Sequence, residues 1–165
     1  MSTIQINDIM TKLGCEKDGF KGTYAENELI SLMLPLINKG EKQISWIMNT
    51  EPDTESGVHW VAFFINEDSV DYFNSLGENP SKYTMENIKQ IVAKLDREVY
   101  LKFKQNLYVT ERYNSSDCGY QSILFLLDRY EGKPFVQCIK GYSSINRSEV
   151  RVHKLIKKLK KLQYI

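Results

Sequence analysis

The sequence predicts an α+β domain, and three observations carry that prediction. Apolar residues recur at helical spacing in 4–13, 26–37, 84–95 and 148–162. The runs 58–65 and 70–73 are apolar and aromatic and are joined by Asn66, Glu67, Asp68 and Ser69, which is the pattern of a hairpin. Cys118 opens a stretch holding Ile123, Leu124, Phe125, Leu126 and Leu127, too long and too apolar for anything but a buried helix.

Taken in order, Ile6, Ile9, Met10 and Leu13 share one helix face, and Gly14 stops that helix. Residues 26–37 read as a second helix ending near Pro35, followed by a polar stretch and a strand at 43–48. A polar, turn-rich loop at 49–57 leads into the hairpin. After the break Gly77-Glu78-Asn79-Pro80, Thr84 can cap a helix that carries Ile88, Ile91, Val92 and Leu95 on one face. A short strand is expected at 107–109, a polar loop at 111–117, then the buried helix from Cys118. At the C-terminal end, Val152, Leu155, Ile156, Leu159 and Leu162 make one side of a basic amphipathic helix at about 147–163.

Composition narrows the class. The 165 residues are 42% hydrophobic and 12% aromatic, enough for one core, so a single domain over 1–165 is expected and disorder is excluded. No apolar run reaches the roughly 18 residues of a membrane span, and the first residues lack a signal-peptide pattern, so a soluble intracellular protein is expected. Cys15, Cys118 and Cys138 are odd in number and unpaired in spacing, which fits neither a disulfide framework nor a zinc site. The net charge of +1 hides an asymmetry: residues 147–165 carry +6, leaving −5 for the rest. The tail helix can therefore dock on the body, bind nucleic acid through Arg151, Lys154, Lys157, Lys158, Lys160 and Lys161, or meet a membrane or partner.

Three residues stand out chemically. Cys118, between Asp117 and Gly119 at the start of a hydrophobic helix, sits where unpaired N–H groups and the helix dipole favour thiolate. His59 in the hairpin can serve as its base, and Asn74, 15 residues later at the end of the second strand, can fix the imidazole tautomer. Each has an ordinary alternative: a buried core thiol, a structural histidine, a strand terminator. Their combination argues for nucleophilic catalysis.

The blocks Gly57-Val58-His59-Trp60-Val61-Ala62-Phe63, Tyr72-Phe73-Asn74-Ser75-Leu76-Gly77 and Asn114-Ser115-Ser116-Asp117-Cys118-Gly119 resemble the signatures of adenovirus-type (adenain-like) maturation cysteine proteases, within the wider group that holds the SUMO-deconjugating proteases. Leu13-Gly14-Cys15, Phe20-Lys21-Gly22-Thr23-Tyr24 and Ile47-Met48-Asn49-Thr50 are similar to N-terminal blocks of the adenovirus enzyme. The resemblance covers roughly residues 8–130. It implies a papain-related fold with a central mixed sheet flanked by helices and the nucleophile at the N-terminus of a buried helix. It also implies Cys118 as nucleophile, His59 as general base, Asn74 in place of the family's acidic third residue, and Trp60 as a wall of a narrow cleft for small residues such as glycine.

The chain departs from the pattern where the family has a Gln, six or seven residues before the Cys, that donates to the oxyanion. Here Arg112 is at six and Glu111 at seven; an ionised Glu has no donor, so Arg112 is the better substitute by chemistry. Asp117 and Gly119 complete the candidates for the oxyanion and cleft. No cysteine lies between Glu98 and Asp117 to bind an activating peptide, and Cys15 and Cys138 read as structural thiols, with a redox or peptide-linking role as the alternative.

The expected function is a monomeric cysteine endopeptidase that cleaves viral capsid and core precursors during particle maturation, in the virion and infected cell of an adenovirus-like, virophage or related DNA element. No metal is expected, and double-stranded DNA or a peptide can act as a stimulatory cofactor. The rivals are a ubiquitin-like or SUMO deconjugase and a non-enzymatic protease-fold module that binds nucleic acid.

Overall fold

The computed structural model describes residues 1–50, 59–97 and 101–165. Its centre is a five-stranded mixed sheet in the order β1-β2-β3-β4-β5, with β1 at Phe20–Ala25, β2 at Ile44–Asn49, β3 at Trp60–Ile65, β4 at Ser69–Phe73 and β5 at Lys102–Gln105. The inner pairs β2/β3 and β3/β4 are antiparallel, whereas the edge strands β1 and β5 run parallel to their neighbours.

Every residue of β2 and β3 is buried, because both faces of the sheet are covered. The period of two sorts their side chains into two cores. Ile47, Ala62, Phe64 and Phe73 pack with α1 (Thr3–Lys12), α4 (Cys118–Tyr130), α5 (Phe135–Lys140) and α6 (Ile145–Lys161). Trp46, Met48, Val61, Phe63, Ile65 and Tyr72 pack on the other face with α2 (Leu29–Met33) and α3 (Lys82–Lys94). Trp46 stacks on Phe63 at 4.7 Å on one face and Phe73 on Phe125 at 5.1 Å on the other.

The predicted hairpin forms, its turn closed by Asn66 Oδ1, which accepts from the N–H groups of Asp68 and Ser69. Residues 51–58, including most of the expected loop and the first residue of the expected strand at 58–65, lie outside the described residues. Elsewhere the structure corrects the expectation. The second helix shrinks to five residues and passes at Leu34–Leu36 into a 3₁₀ turn that accommodates Pro35. The cap of α3 is Ser81, whose hydroxyl accepts from the Thr84 N–H. Residues 107–109 form no strand; they cross over Gly77, where a Cβ would lie 2.9 Å from the Tyr108 carbonyl carbon. The strand of that region is the exposed, polar edge β5.

The tail helix docks on the body. Val152, Leu155 and Leu159 are buried, the last two in the same core as α4. Beneath the sheet, Asp71 forms a buried ion pair with Arg129 at 2.9 Å, and the Arg129 guanidinium lies 4.5 Å from the centre of the Phe64 ring. No described helix is long and apolar enough to cross a membrane.

Candidate active site

The antiparallel register of β3 and β4 sets Ala62 opposite Phe73, so the residue before β3 and the residue after β4 meet at one end of the sheet. Those residues are His59 and Asn74. α4 packs across β3, and the Ser122 hydroxyl donates to the Trp60 carbonyl at 3.3 Å, which fixes the start of α4 against the start of β3. Cys118, the first residue of α4, comes to the same place. The Cys118 sulfur, a ring nitrogen of His59 and a carboxylate oxygen of Glu111 all lie within 4.8 Å of one another.

The His59 ring is oriented by Asn74, whose Oδ1 lies 2.7 Å from Nε2. The surroundings settle which way the amide points. Oδ1 also accepts the Leu76 N–H at 2.8 Å, and that group can only donate; Nδ2 faces the Glu78 carbonyl at 3.4 Å, which can only accept, and the Tyr72 hydroxyl at 3.0 Å. Nε2 therefore carries the proton and donates it to Asn74, which leaves Nδ1 as the basic nitrogen. Burial pushes the Tyr72 hydroxyl up to about 12, so it stays neutral as the acceptor in this network.

Asn74 is itself held by a residue that sequence reasoning missed. Buried Asn106, just past β5, accepts the Asn74 backbone N–H through Oδ1 at 2.9 Å and donates through Nδ2 to the Asn74 carbonyl at 2.6 Å. The amide side chain extends the β4/β5 ladder by one rung. Nothing in the sequence marks Asn106, since its role exists only once β5 lies beside β4.

Glu111, seven residues before Cys118, is buried. Oε1 accepts the N–H groups of Asp117 at 2.9 Å and Cys118 at 3.0 Å, and Oε2 accepts the Ser75 hydroxyl at 2.6 Å. Asp117 gives α4 no side-chain cap, so the Glu111 carboxylate caps the positive end of that helix from outside. Burial pushes the Cys118 thiol above its ordinary range and the Glu111 charge adds to the rise, while hydrogen bonding from the Trp60 and Gly119 backbone opposes it. The lowered thiol pKa expected from the helix terminus is thus reversed, because burial, with the Glu111 charge, outweighs the backbone hydrogen bonds and the Met1 ammonium.

Arg112, the substitute donor favoured on chemistry, points away from the site: its Nε pairs with Glu149 of α6 at 2.5 Å and an Nη reaches Asn146. Gly119 lies under Met1 and Trp60, where a Cβ would come within 2.9 Å of the Met1 sulfur. Trp60 is buried in the core and its indole N–H donates to the Met1 carbonyl at 3.0 Å, so the expected cleft wall is covered by the first residue. Arg151 is likewise removed from the candidate nucleic-acid contacts: it pairs with Asp128 at 2.5 Å and lies over the Tyr142 ring. Lys154, Lys157, Lys158, Lys160 and Lys161 are exposed. Cys15 and Cys138 are buried free thiols, pushed by burial up to about 12 and about 11.

His59, Glu111 and Cys118 also form, among the described residues, a nitrogen, oxygen and sulfur donor set of the kind that suits a divalent metal. Both Glu111 oxygens are already engaged by three hydrogen-bond donors, the N–H groups of Asp117 and Cys118 and the Ser75 hydroxyl.

No protein-family model matches the chain. It is 30% identical over 152 residues to a protein of Acanthamoeba polyphaga mimivirus named as a thiol protease, covering 82% of this chain and 49% of that one. It is 28% identical over 102 residues to the SUMO-1 cysteine protease of an African swine fever virus isolate, covering 58% of this chain and 37% of that one. The chain thus spans about half the length, or less, of these curated relatives. Among solved structures it is similar to the African swine fever virus protease, with a TM-score of 0.64 at 17% identity over 92% of this chain and 66% of that chain. It is similar also to the SUMO protease Ulp1, with a TM-score of 0.58 at 15% identity over 93% of this chain and 78% of that chain. The mixed sheet flanked by helices is the fold of these cysteine proteases.

Proposed function

We propose that this chain is a cysteine endopeptidase of viral type, with Cys118 as nucleophile, His59 as general base and Asn74 as the residue that orients it. The observation that carries the reading is the convergence of the three at one sheet end: the His59 ring within 4.8 Å of the Cys118 sulfur, and its Nε2–H given to Asn74 at 2.7 Å. The viral relatives named as thiol and cysteine proteases support it.

In this mechanism His59 Nδ1 takes the Cys118 proton and the sulfur attacks the scissile carbonyl carbon, moving the π electrons onto oxygen. Collapse breaks the C–N bond as the imidazolium gives its proton to the leaving amine. His59 then deprotonates the water that releases the acyl group and restores the thiol. Asn74 keeps the reacting tautomer throughout.

The substrates proposed are capsid and core precursors cut after small residues such as glycine during particle maturation, in the virion and infected cell. A second reading, deconjugation of SUMO or a ubiquitin-like protein, is favoured by the name of the African swine fever virus relative and by the likeness to Ulp1, and it uses the same three residues. Double-stranded DNA on the exposed α6 lysines is the proposed stimulatory partner. The test is cleavage of precursor proteins encoded beside this gene and of fluorogenic SUMO and ubiquitin-like conjugates by wild type, Cys118→Ala and His59→Ala. Precursor cleavage lost in both variants supports maturation, and turnover of the conjugates alone supports deconjugation. Equal behaviour of wild type and Cys118→Ala on all substrates refutes both.

A further inference from the structure

The Trp60 indole has a single N–H, and the Met1 carbonyl accepts it at 3.0 Å. Trp60 is 4% exposed, so that N–H needs an acceptor at all times, since a buried donor left bare is costly. Met1 also lies over Gly119. A Cβ built there would stand 2.9 Å from the Met1 sulfur, and 3.4 Å from both the Met1 Cβ and Trp60 Cδ1. Met1 therefore fills the slot between Trp60, which follows the base His59, and Gly119, which follows the nucleophile Cys118. A carbonyl given to the indole and a side chain laid on a glycine are what one residue of an extended peptide would present.

The hold on Met1 is weak. α1 closes without it, because its cap is Ser2, whose hydroxyl accepts the Gln5 N–H while Gln5 Oε1 accepts the Ser2 N–H. The Met1 side chain is unbranched and flexible. A cavity of about 260 Å³, lined by Met1, Gln5, Ile9, Ser116, Tyr120 and Ile165, opens beside it and gives it room to turn aside.

Building on the protease reading above, we propose that Met1 is an internal occupant of the substrate cleft and that the Trp60 indole N–H is a binding donor for the substrate backbone. With Met1 in place, the slot beside Cys118 is filled. When an extended peptide enters, one of its carbonyls takes over the indole N–H and Met1 turns out, so the buried donor passes from one acceptor to the next. No covalent bond changes in this exchange, which precedes the chemistry of Cys118 and His59. Met1 therefore lowers the apparent affinity by the fraction of molecules whose slot is open and leaves the bond-breaking steps alone.

The experiment compares the full chain, a chain that begins at Ser2, Gln5→Ala and Cys118→Ala on a fluorogenic coumarin amide of Gly-Gly, with thermal melts to verify folding. The chain has two tryptophans, Trp46 and Trp60, and Trp46 is fully buried, so acrylamide quenching of tryptophan fluorescence reads the uncovering of Trp60 apart from turnover. Removing Met1 should increase quenching and lower KM by about 10-fold with kcat unchanged, the worth of one neutral hydrogen bond and a partly buried side chain. Gln5→Ala, which opens the capping box next to Met1, should shift both in the same direction by less. In the chain that begins at Ser2, adding Trp60→Phe keeps an aromatic wall and removes the donor, so KM should rise again by about 5-fold. An unchanged KM on removal of Met1, whatever the quenching, overturns the proposal and leaves Met1 packed outside the path of the substrate. An unchanged KM on adding Trp60→Phe overturns the donor role. Turnover no higher than that of Cys118→Ala in every chain overturns the protease reading itself, and the exchange with it.

Discussion

Replacing Asn74 by Ala separates the positioning of His59 from the rest of the site. The side chain is 2% exposed and makes four hydrogen bonds, to His59, Leu76, Tyr72 and Glu78. Of the partners left behind, the Leu76 N–H is half-buried and the Glu78 carbonyl lies on an exposed residue, so water can serve them. The Tyr72 hydroxyl belongs to a residue that is 1% exposed, and stranding it carries the main cost. One buried unsatisfied polar group costs about 1–3 kcal/mol, so the variant should unfold at lower urea yet remain folded without it. Activity should suffer more. With Oδ1 gone, both imidazole tautomers are available and the ring is free to turn. General base catalysis is worth roughly 10² to 10⁴, and kcat/KM on a Gly-Gly coumarin amide should fall by about 10²-fold or more. Alkylation of Cys118 by iodoacetamide, read by peptide mass, should slow in parallel, because it needs the same proton acceptor. A folded Asn74→Ala variant with wild-type turnover and wild-type alkylation would refute the argument that Asn74 sets the ring.

The other expectations follow from single observations. In the native protein iodoacetamide should modify Cys118 ahead of Cys15 and Cys138, whose thiols are pushed to about 12 and about 11 by burial; peptide mapping after partial labelling gives the order. Asp71→Ala leaves the Arg129 guanidinium buried without its carboxylate and should cost about 3–5 kcal/mol in urea unfolding. Partial burial pushes the Glu41 carboxyl up, but hydrogen bonds from Lys21 and Asn38 outweigh it and hold the group below its usual 4.5. That stabilisation is therefore present above pH 4.5 and lost as pH falls through the folded value; Glu41→Gln should remove this acid-side loss, worth about 1 kcal/mol for a half-buried pair at the surface. If the exposed α6 lysines bind duplex DNA, log K should fall with log salt at a slope no steeper than about −4.5, given roughly 0.9 per phosphate and five lysines, and charge reversal of Lys157, Lys158 and Lys161 should flatten it.

What the sequence revealed of the fold follows the strength of each element's burial. β2, β3, β4, α1 and α4 pack large apolar side chains into the two cores, so their periodicity is plain in the chain. β1 is interrupted by Gly22 at φ 125° and by a register shift between Phe20 and Thr23, which breaks its alternation. β5 reads Lys-Phe-Lys-Gln because an exposed edge strand needs polar residues more than apolar ones. α5 has six residues, fewer than two turns, and gives too little period to detect. His59, Asn74 and Cys118 were legible because their spacing and neighbours form recognisable blocks. Asn106 and Ser75 were not, because each acts on the site through a contact made by the sheet.

The choice between Glu111 and Arg112 shows why donor chemistry misled. Counting N–H groups favours Arg112, since an oxyanion needs donors and guanidinium has five. The folded chain answers a different requirement first. The start of α4 exposes the N–H groups of Asp117 and Cys118 with no side-chain cap from Asp117, and such a helix end attracts an acceptor of negative charge. Glu111 meets that need, and Arg112, one residue on and facing the opposite way, finds its own carboxylate at Glu149 on α6. The two adjacent residues thus tie the nucleophile's loop to α4 on one side and to the tail helix on the other. Breaking the Arg112 contacts to Glu149 and Asn146 would remove the anchor of this loop on the α6 side. Glu149→Gln, which weakens the Arg112 contact, should therefore lower kcat/KM for Cys118-dependent cleavage while thermal melts show α6 still docked on the body; a folded variant with wild-type turnover would refute the link between α6 and the loop.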